Sequence, residues 1–187
     1  VTQLIDSFNI GGLIFFQGGP ARQLSLTNFY QSRSVTPLLI GIDGEWGLSM
    51  RLDSTMRFPR QMTLGAGAKP EQVYQMGVEI GRQCKRMGIH INFAPDADVN
   101  NNPANPIINS RSFGEDKNAV ADLAVQYMRG MQDAGVLACA KHFPGHGFVV
   151  ADSHVSMPVD EREFDQIAQH DMQPFKALID DGIPAIM

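Results

Sequence analysis

The sequence predicts an α/β protein of the (β/α)8 TIM-type barrel class, with about five strands in this chain and so an incomplete barrel. Three observations lead there. Short apolar runs of strand length alternate with helical patterns, which implies a parallel sheet covered by helices. The connections are lopsided: helix-to-strand links are little more than Gly88, Gly135 and Gly182, whereas three of the four strand-to-helix links are long, polar and rich in Gly, Pro and Asn. A barrel builds its active site from such loops, beyond the C-terminal ends of its strands. A doubly wound sheet does the same, but no Gly-x-Gly-x-x-Gly follows a first strand and no Gly-x-x-x-x-Gly-Lys occurs. Finally, a whole barrel takes ~250 residues, and 187 residues hold only part of one. Residues 1–187 are read as part of a single such domain.

The elements follow in order. Residues 11–16 form a short apolar run, a buried strand. Residues 21–32 make a weak helix, and residues 37–42 a second buried strand before a loop rich in Gly and Arg. The next helix is better marked. Pro70 suits its first turn, Val73, Met76, Ile80, Cys84 and Met87 recur at spacings of three and four, and Gly88 fits a left-handed cap. The strand at 89–94 starts at once. A loop of Asn and Pro over 95–114 leads to a helix with Val120, Leu123, Tyr127, Met128 and Met131 on one face. Gly135 stops it, and residues 136–143 are the fourth strand. After a third long loop, 144–160, a helical stretch carries Phe164, Ile167, Phe175 and Leu178; Pro174 kinks or restarts it. Gly182 leads to the fifth strand. The first residue is Val1, and the sequence at 182–187 reads as a strand just starting, so the chain is expected to be a piece of a longer polypeptide.

Composition narrows the function. Hydrophobic content is 43%, charged content 19% and formal net charge −5, with no basic block, which argues against nucleic acid and anionic membrane surfaces as partners. No apolar run approaches the ~20 residues of a membrane span. Cys84 and Cys139, one in a helical and one in a strand pattern, are expected as buried free thiols.

The most informative stretch is Lys141-His142-Phe143-Pro144-Gly145-His146-Gly147, with Asp152-Ser153-His154 shortly after. Titratable groups crowded past a buried strand are expensive to place there and read better as chemistry. A desolvated Lys141 needs a polar partner. His142, His146 and His154 as a zinc site is disfavoured, because Pro144 and Gly145 keep the first two off one helical face. Asp152 beside His154 is either an incidental turn pair or a carboxylate that fixes an imidazole's tautomer. Such an imidazole both gives and takes a proton near neutrality. Asp43, with Glu45 and Arg51 nearby, follows the second strand. It is either part of a solvated loop or an acceptor for vicinal sugar hydroxyls. Asp96, Asp98, Asn100, Asn101 and Asn102 lack the pattern of a calcium loop and read as turn formers. Arg111 either clamps a polar substrate or pairs with Asp98. Trp46 is either a sugar-stacking platform or a core residue.

These segments resemble glycoside hydrolase family 3. Lys141–Gly147 with the following Asp-Ser-His resembles its β-N-acetylglucosaminidase branch in particular. Gly41-Ile42-Asp43-Gly44-Glu45, Phe93-Ala94-Pro95, Arg111-Ser112-Phe113-Gly114-Glu115 and Pro158-Val159-Asp160-Glu161-Arg162 agree in matching order. The resemblance implies retaining, exo-acting hydrolysis of terminal β-linked N-acetylglucosamine on a (β/α)8 barrel, with a carbohydrate partner and no metal or cofactor. It implies that His154 is the acid/base, that Asp152 supports it, and that Asp43, Arg51, Arg111, Lys141 and His142 bind the sugar. It places the nucleophilic aspartate on a strand end beyond residue 187. Trp46 stands where the branch often has glycine. A β-glucosidase of the same family and a non-catalytic sugar-binding protein are the alternatives, and the compartment and oligomeric state stay open.

Overall fold

A computed structural model describes residues 1–150 and 157–187. Five parallel strands, β1 (Gly12–Phe15), β2 (Leu39–Ile42), β3 (Ile91–Asn92), β4 (Leu137–Ala140) and β5 (Ala185–Ile186), lie side by side in chain order. Gly12 stands opposite Leu39, Gly41 opposite Ile91, Ile91 opposite Leu137 and Cys139 opposite Ala185. The order never reverses, so the switch point of a doubly wound sheet is missing. Crossovers of one hand between successive parallel strands wind the sheet into an arc of a barrel, which does not close among the described residues.

Among the described residues seven α-helices accompany the strands: α1 (Thr2–Phe8), α2 (Pro20–Arg33), α3 (Gln61–Gly65), α4 (Pro70–Arg86), α5 (Lys117–Asp133), α6 (Phe164–Gln169) and α7 (Gln173–Asp180). Pro174 restarts the helix, as its missing N–H allows in a first turn. Two elements were not expected. Helix α1 buries only Ile5 and so shows no apolar stripe; α3 is five residues inside a loop. The weakness of α2 has a visible cause: its buried positions are Gln23 and Thr27, not apolar residues.

The core lies between the helices and the strands. Val73, Ile80 and Cys84 of α4 and Val120, Tyr127, Met128 and Met131 of α5 pack with Ile40, Ile42, Ala138 and Ala140. Asp116 caps α5, accepting from the backbone N–H groups of Asn118 and Ala119 at 2.9 Å each. Cys84 and Cys139 are buried free thiols, and burial pushes Cys84 up to about 12. No helix among the described residues is long and apolar enough to cross a membrane.

Helices α4 and α5 approach so closely that their glycines meet backbone: a Cβ on Gly130 would overlap the carbonyl of Tyr74, and one on Gly77 that of Tyr127. Gly130→Ala is therefore expected to destabilise the fold by about 1–3 kcal/mol through overpacking, read as a melting temperature lower by roughly 2–12 °C. Gly67→Ala, where an added Cβ meets nothing within 4 Å, is the control and should lose nothing. Equal melting temperatures for the two variants would contradict the close crossing.

Candidate active site

Three strand ends supply the site. Asp43 follows β2, Lys141 follows β4, and between them the chain beyond β3 bends so that Asp96 forms a lone parallel bridge with Lys141. The Ala97 N–H donates to the Lys141 carbonyl at 2.7 Å. The loop from 43 to 45 is pinned from beneath. Asn92 accepts from the Gly44 N–H at 2.8 Å and donates to its carbonyl at 3.1 Å; the Tyr127 hydroxyl donates to the same carbonyl at 3.1 Å. Gln61 donates to the carbonyl of Glu45 at 2.6 Å.

On this frame the charges alternate. Arg51 reaches Asp43 at 3.0 Å; Lys141 Nζ sits 2.7 Å from Asp43 and 3.0 Å from Glu45. Arg111 grips Glu45 through both Nε, at 3.0 Å, and Nη2, at 2.7 Å. Its Nη2 also lies 3.1 Å from His142 Nε2, while His142 Nδ1 lies 2.6 Å from Asp98. A guanidinium only donates, so His142 Nε2 is the acceptor and Nδ1 carries the proton given to Asp98. Asp98 further accepts from the backbone N–H of His142 at 3.2 Å and of His146 at 2.6 Å. Thus all five residues expected to bind sugar, Asp43, Arg51, Arg111, Lys141 and His142, come together.

Burial sorts them into two layers. The side chains of Asp43, Arg51, Arg111 and His142 are 16–28% exposed, whereas those of Glu45, Asp96 and Asp98 are fully buried and Lys141 is nearly so. Burial alone would push the Glu45 carboxyl up; the Arg111 hydrogen bonds and the Lys141 charge outweigh it and hold Glu45 down at about 2. Asp96 goes the other way. Burial, then the neighbouring Asp98 and Glu45 charges, push it well above the usual carboxylate range, and Arg111 Nε, 3.8 Å away, offsets only part.

Several readings change. Arg111 pairs with Glu45, not Asp98. Trp46 stacks under the Arg60 guanidinium, whose carbon is 4.5 Å from the ring centroid. The Asn-rich loop does more than turn. Asn105 donates to the carbonyls of His146 and Val149, at 2.6 and 2.8 Å, and Asn102 to that of Phe148 at 2.5 Å. Arg162, held by Asp160 and Asp171, lies over the Phe148 ring at 3.9 Å. Asp152 and His154 fall in 151–156, outside the described residues.

His142 and His146 stack edge to face at 6.1 Å between centroids rather than along one helix. The metal-like grouping among the described residues is a different one: Asp96, Asp98 and His142 bring one ligand atom each within 4.8 Å of one another. With one His142 nitrogen donating to Asp98 and the other accepting from Arg111, neither lone pair is open to a cation in this arrangement.

Residues 1–187 match the glycosyl hydrolase family 3 N terminal domain. A beta-hexosaminidase of Methylobacillus flagellatus is 40% identical over 188 residues, 95% of this chain and 54% of that relative. The structure of a glycoside hydrolase family 3 beta-N-acetylglucosaminidase from Paenibacillus sp. superposes with a TM-score of 0.93 at 38% identity, over 100% of this chain and 37% of that one. The beta-glucoside phosphorylase BglX superposes at 0.91 with 28% identity, over 95% of this chain and 32% of that one. The chain therefore spans about half the length, or less, of the proteins it matches.

Proposed function

Because the chain belongs to glycosyl hydrolase family 3, we propose that it forms part of the catalytic (β/α)8 domain of a retaining, exo-acting β-N-acetylglucosaminidase. The observation that carries the reading is the cluster of Asp43, Arg51, Lys141, Arg111 and His142 over three adjacent strand ends. A carboxylate and a guanidinium side by side suit the vicinal hydroxyls of a pyranose, one accepting and the other donating. Behind them the buried carboxylates of Glu45, Asp96 and Asp98 close the cluster. A site closed at the back takes the end of a glycan rather than its middle, which supports exo action.

Retention ordinarily needs two carboxyl groups, one as nucleophile. In this proposal the nucleophilic aspartate lies outside these 187 residues. His154 takes the second role: it protonates the leaving oxygen, then removes a proton from water as the glycosyl-enzyme is hydrolysed. Asp152 holds its ring in the useful tautomer. The substrate is a glycan or muropeptide ending in β-linked N-acetylglucosamine.

A second reading, cleavage of β-glucosides, draws on the likeness to BglX. Aryl β-N-acetylglucosaminide and aryl β-glucoside, each assayed on the complete polypeptide with and without inorganic phosphate, separate the two. The expected result is a kcat/KM for the N-acetylated substrate at least about 10²-fold higher, since discarding groups built for a polar substituent costs 10²-fold or more. Preference for the glucoside would replace the first reading with the second. Inertness toward both would leave a sugar-binding protein.

A further inference from the structure

We propose that Glu45 is the positioning residue of this site. Its buried carboxylate fixes where Arg111 and Lys141 present their remaining N–H groups to a sugar that Glu45 itself does not touch. The inference rests on the sugar-binding reading above and gives a specific role to a residue that reading uses only as part of the closed back of the site.

Three observations converge. Glu45 is wholly buried, so contact with a ligand is closed to it. Its backbone is set by the core: Gln61 holds its carbonyl, and Asn92 and Tyr127 hold the preceding glycine. Its two oxygens meet three cationic contacts, Arg111 Nε at 3.0 Å, Arg111 Nη2 at 2.7 Å and Lys141 Nζ at 3.0 Å. Side-on, two-pronged pairing fixes the plane of a guanidinium as well as its place.

The donors that remain are few. Arg111 spends Nε on Glu45, Nη2 on Glu45 and His142, and one Nη1 proton on the Ile107 carbonyl at 3.3 Å. Lys141 Nζ is shared between Asp43 and Glu45. Among the described residues this leaves one N–H on Arg111 Nη1 and one on Lys141 Nζ. Their directions follow from the bonds already made, hence from Glu45. Donors aimed in advance cost no reorganisation when the ligand arrives. Without the Glu45 charge, two cations share one buried wall with only Asp43 to hold Lys141, and both must re-aim.

The test is Glu45→Gln in the complete polypeptide, which keeps the shape, removes the charge and sets an amide N–H against a cation. KM for the aryl glycoside that the wild type cleaves is expected to rise roughly 30-fold or more, the scale for breaking a buried charge pair, with kcat changed much less. Glu45→Asp, which restores the charge one methylene back, should recover most of the lost affinity while keeping a several-fold penalty in KM. A purely structural role would lower the melting temperature of E45Q and leave KM at its wild-type value, which overturns the proposal. Should E45Q not fold, E45D decides: a wild-type KM for it overturns the proposal, and a raised one supports it. A wild type that cleaves neither glycoside overturns the reading of the site and this role with it.

Discussion

Replacing His154 with alanine is expected to cut turnover of an aryl β-N-acetylglucosaminide by about 10²–10⁴-fold, the span that a positioned general acid or base supplies. The argument starts from the leaving oxygen. Without a proton donor it departs as an anion, so the loss should grow with the basicity of the aglycone: small for a nitrophenolate, large for a sugar. Binding should survive, because the proposed sugar contacts lie elsewhere, in the ion-paired cluster of Asp43, Arg51, Lys141 and Arg111. The affinity for free N-acetylglucosamine is therefore expected to stay within about threefold, a difference of ~0.7 kcal/mol. The pH profile adds a sign. Protonated imidazole is needed for the first step, so wild-type cleavage of a poor leaving group should fall as pH rises through the range where imidazole loses its proton, ordinarily near 6.5; that limb should vanish in H154A. Asp152→Asn should cost less than H154A, since the imidazole remains and only its orientation suffers. H154A turning over like the wild type on both good and poor leaving groups would remove His154 from the mechanism.

Much of the scaffold could be read from the chain because its strands are nearly uninterrupted apolar runs, although β1, expected to be buried, is exposed or half-buried throughout, and because single glycines stop α4 and α5. What escaped was carried by polar residues. Helix α2 turns Gln23 and Thr27 inward, so the apolar stripe that announces a helix is absent. Glu45 was within reach of pattern reading. Residues 43 and 45 are two apart just past a strand end, where a turn closed by the Gly47 N–H on the Gly44 carbonyl begins, and both meet Lys141. Its grip on Arg111 was out of reach: 66 positions separate them, and only the fold brings the two loops together. Asn102 and Asn105 show a third case. Their side chains serve their own turns and also hold the 146–149 segment, and only the first of these roles leaves a local trace.

Arg111→Met should cost the fold about 3–5 kcal/mol, because it leaves buried carboxylates without their cation, and lower the melting temperature by roughly 6–20 °C for a chain of this size. Glu45 would keep only Lys141, Asp96 would lose its nearest guanidinium, and His142 Nε2 would lose its donor. The pH dependence separates this account from lost packing. In the wild type the Glu45 carboxyl is held at about 2 against an ordinary 4.5. A depressed carboxyl stabilises above the unfolded value, so roughly 3 kcal/mol is present above pH 4.5 and is lost as pH falls toward 2. Asp96 is raised, so its contribution has the opposite sign: it favours the fold at low pH and is lost as pH rises through its folded value. Removing Arg111 moves both carboxyls upward, and each then binds a proton more readily folded than it did in the wild type. The deficit of R111M relative to wild type should therefore shrink on going from pH 7 to pH 5, measured by denaturant unfolding at each pH. The double variant E45Q/R111M should be more stable at pH 7 than R111M alone, because the second change removes the stranded charge, a non-additivity expected of groups in one network. A deficit that is the same at pH 5 and pH 7, or a double variant weaker by the sum of both single losses, would mean that Arg111 stabilises the fold by filling space, not by balancing the charge beneath the site.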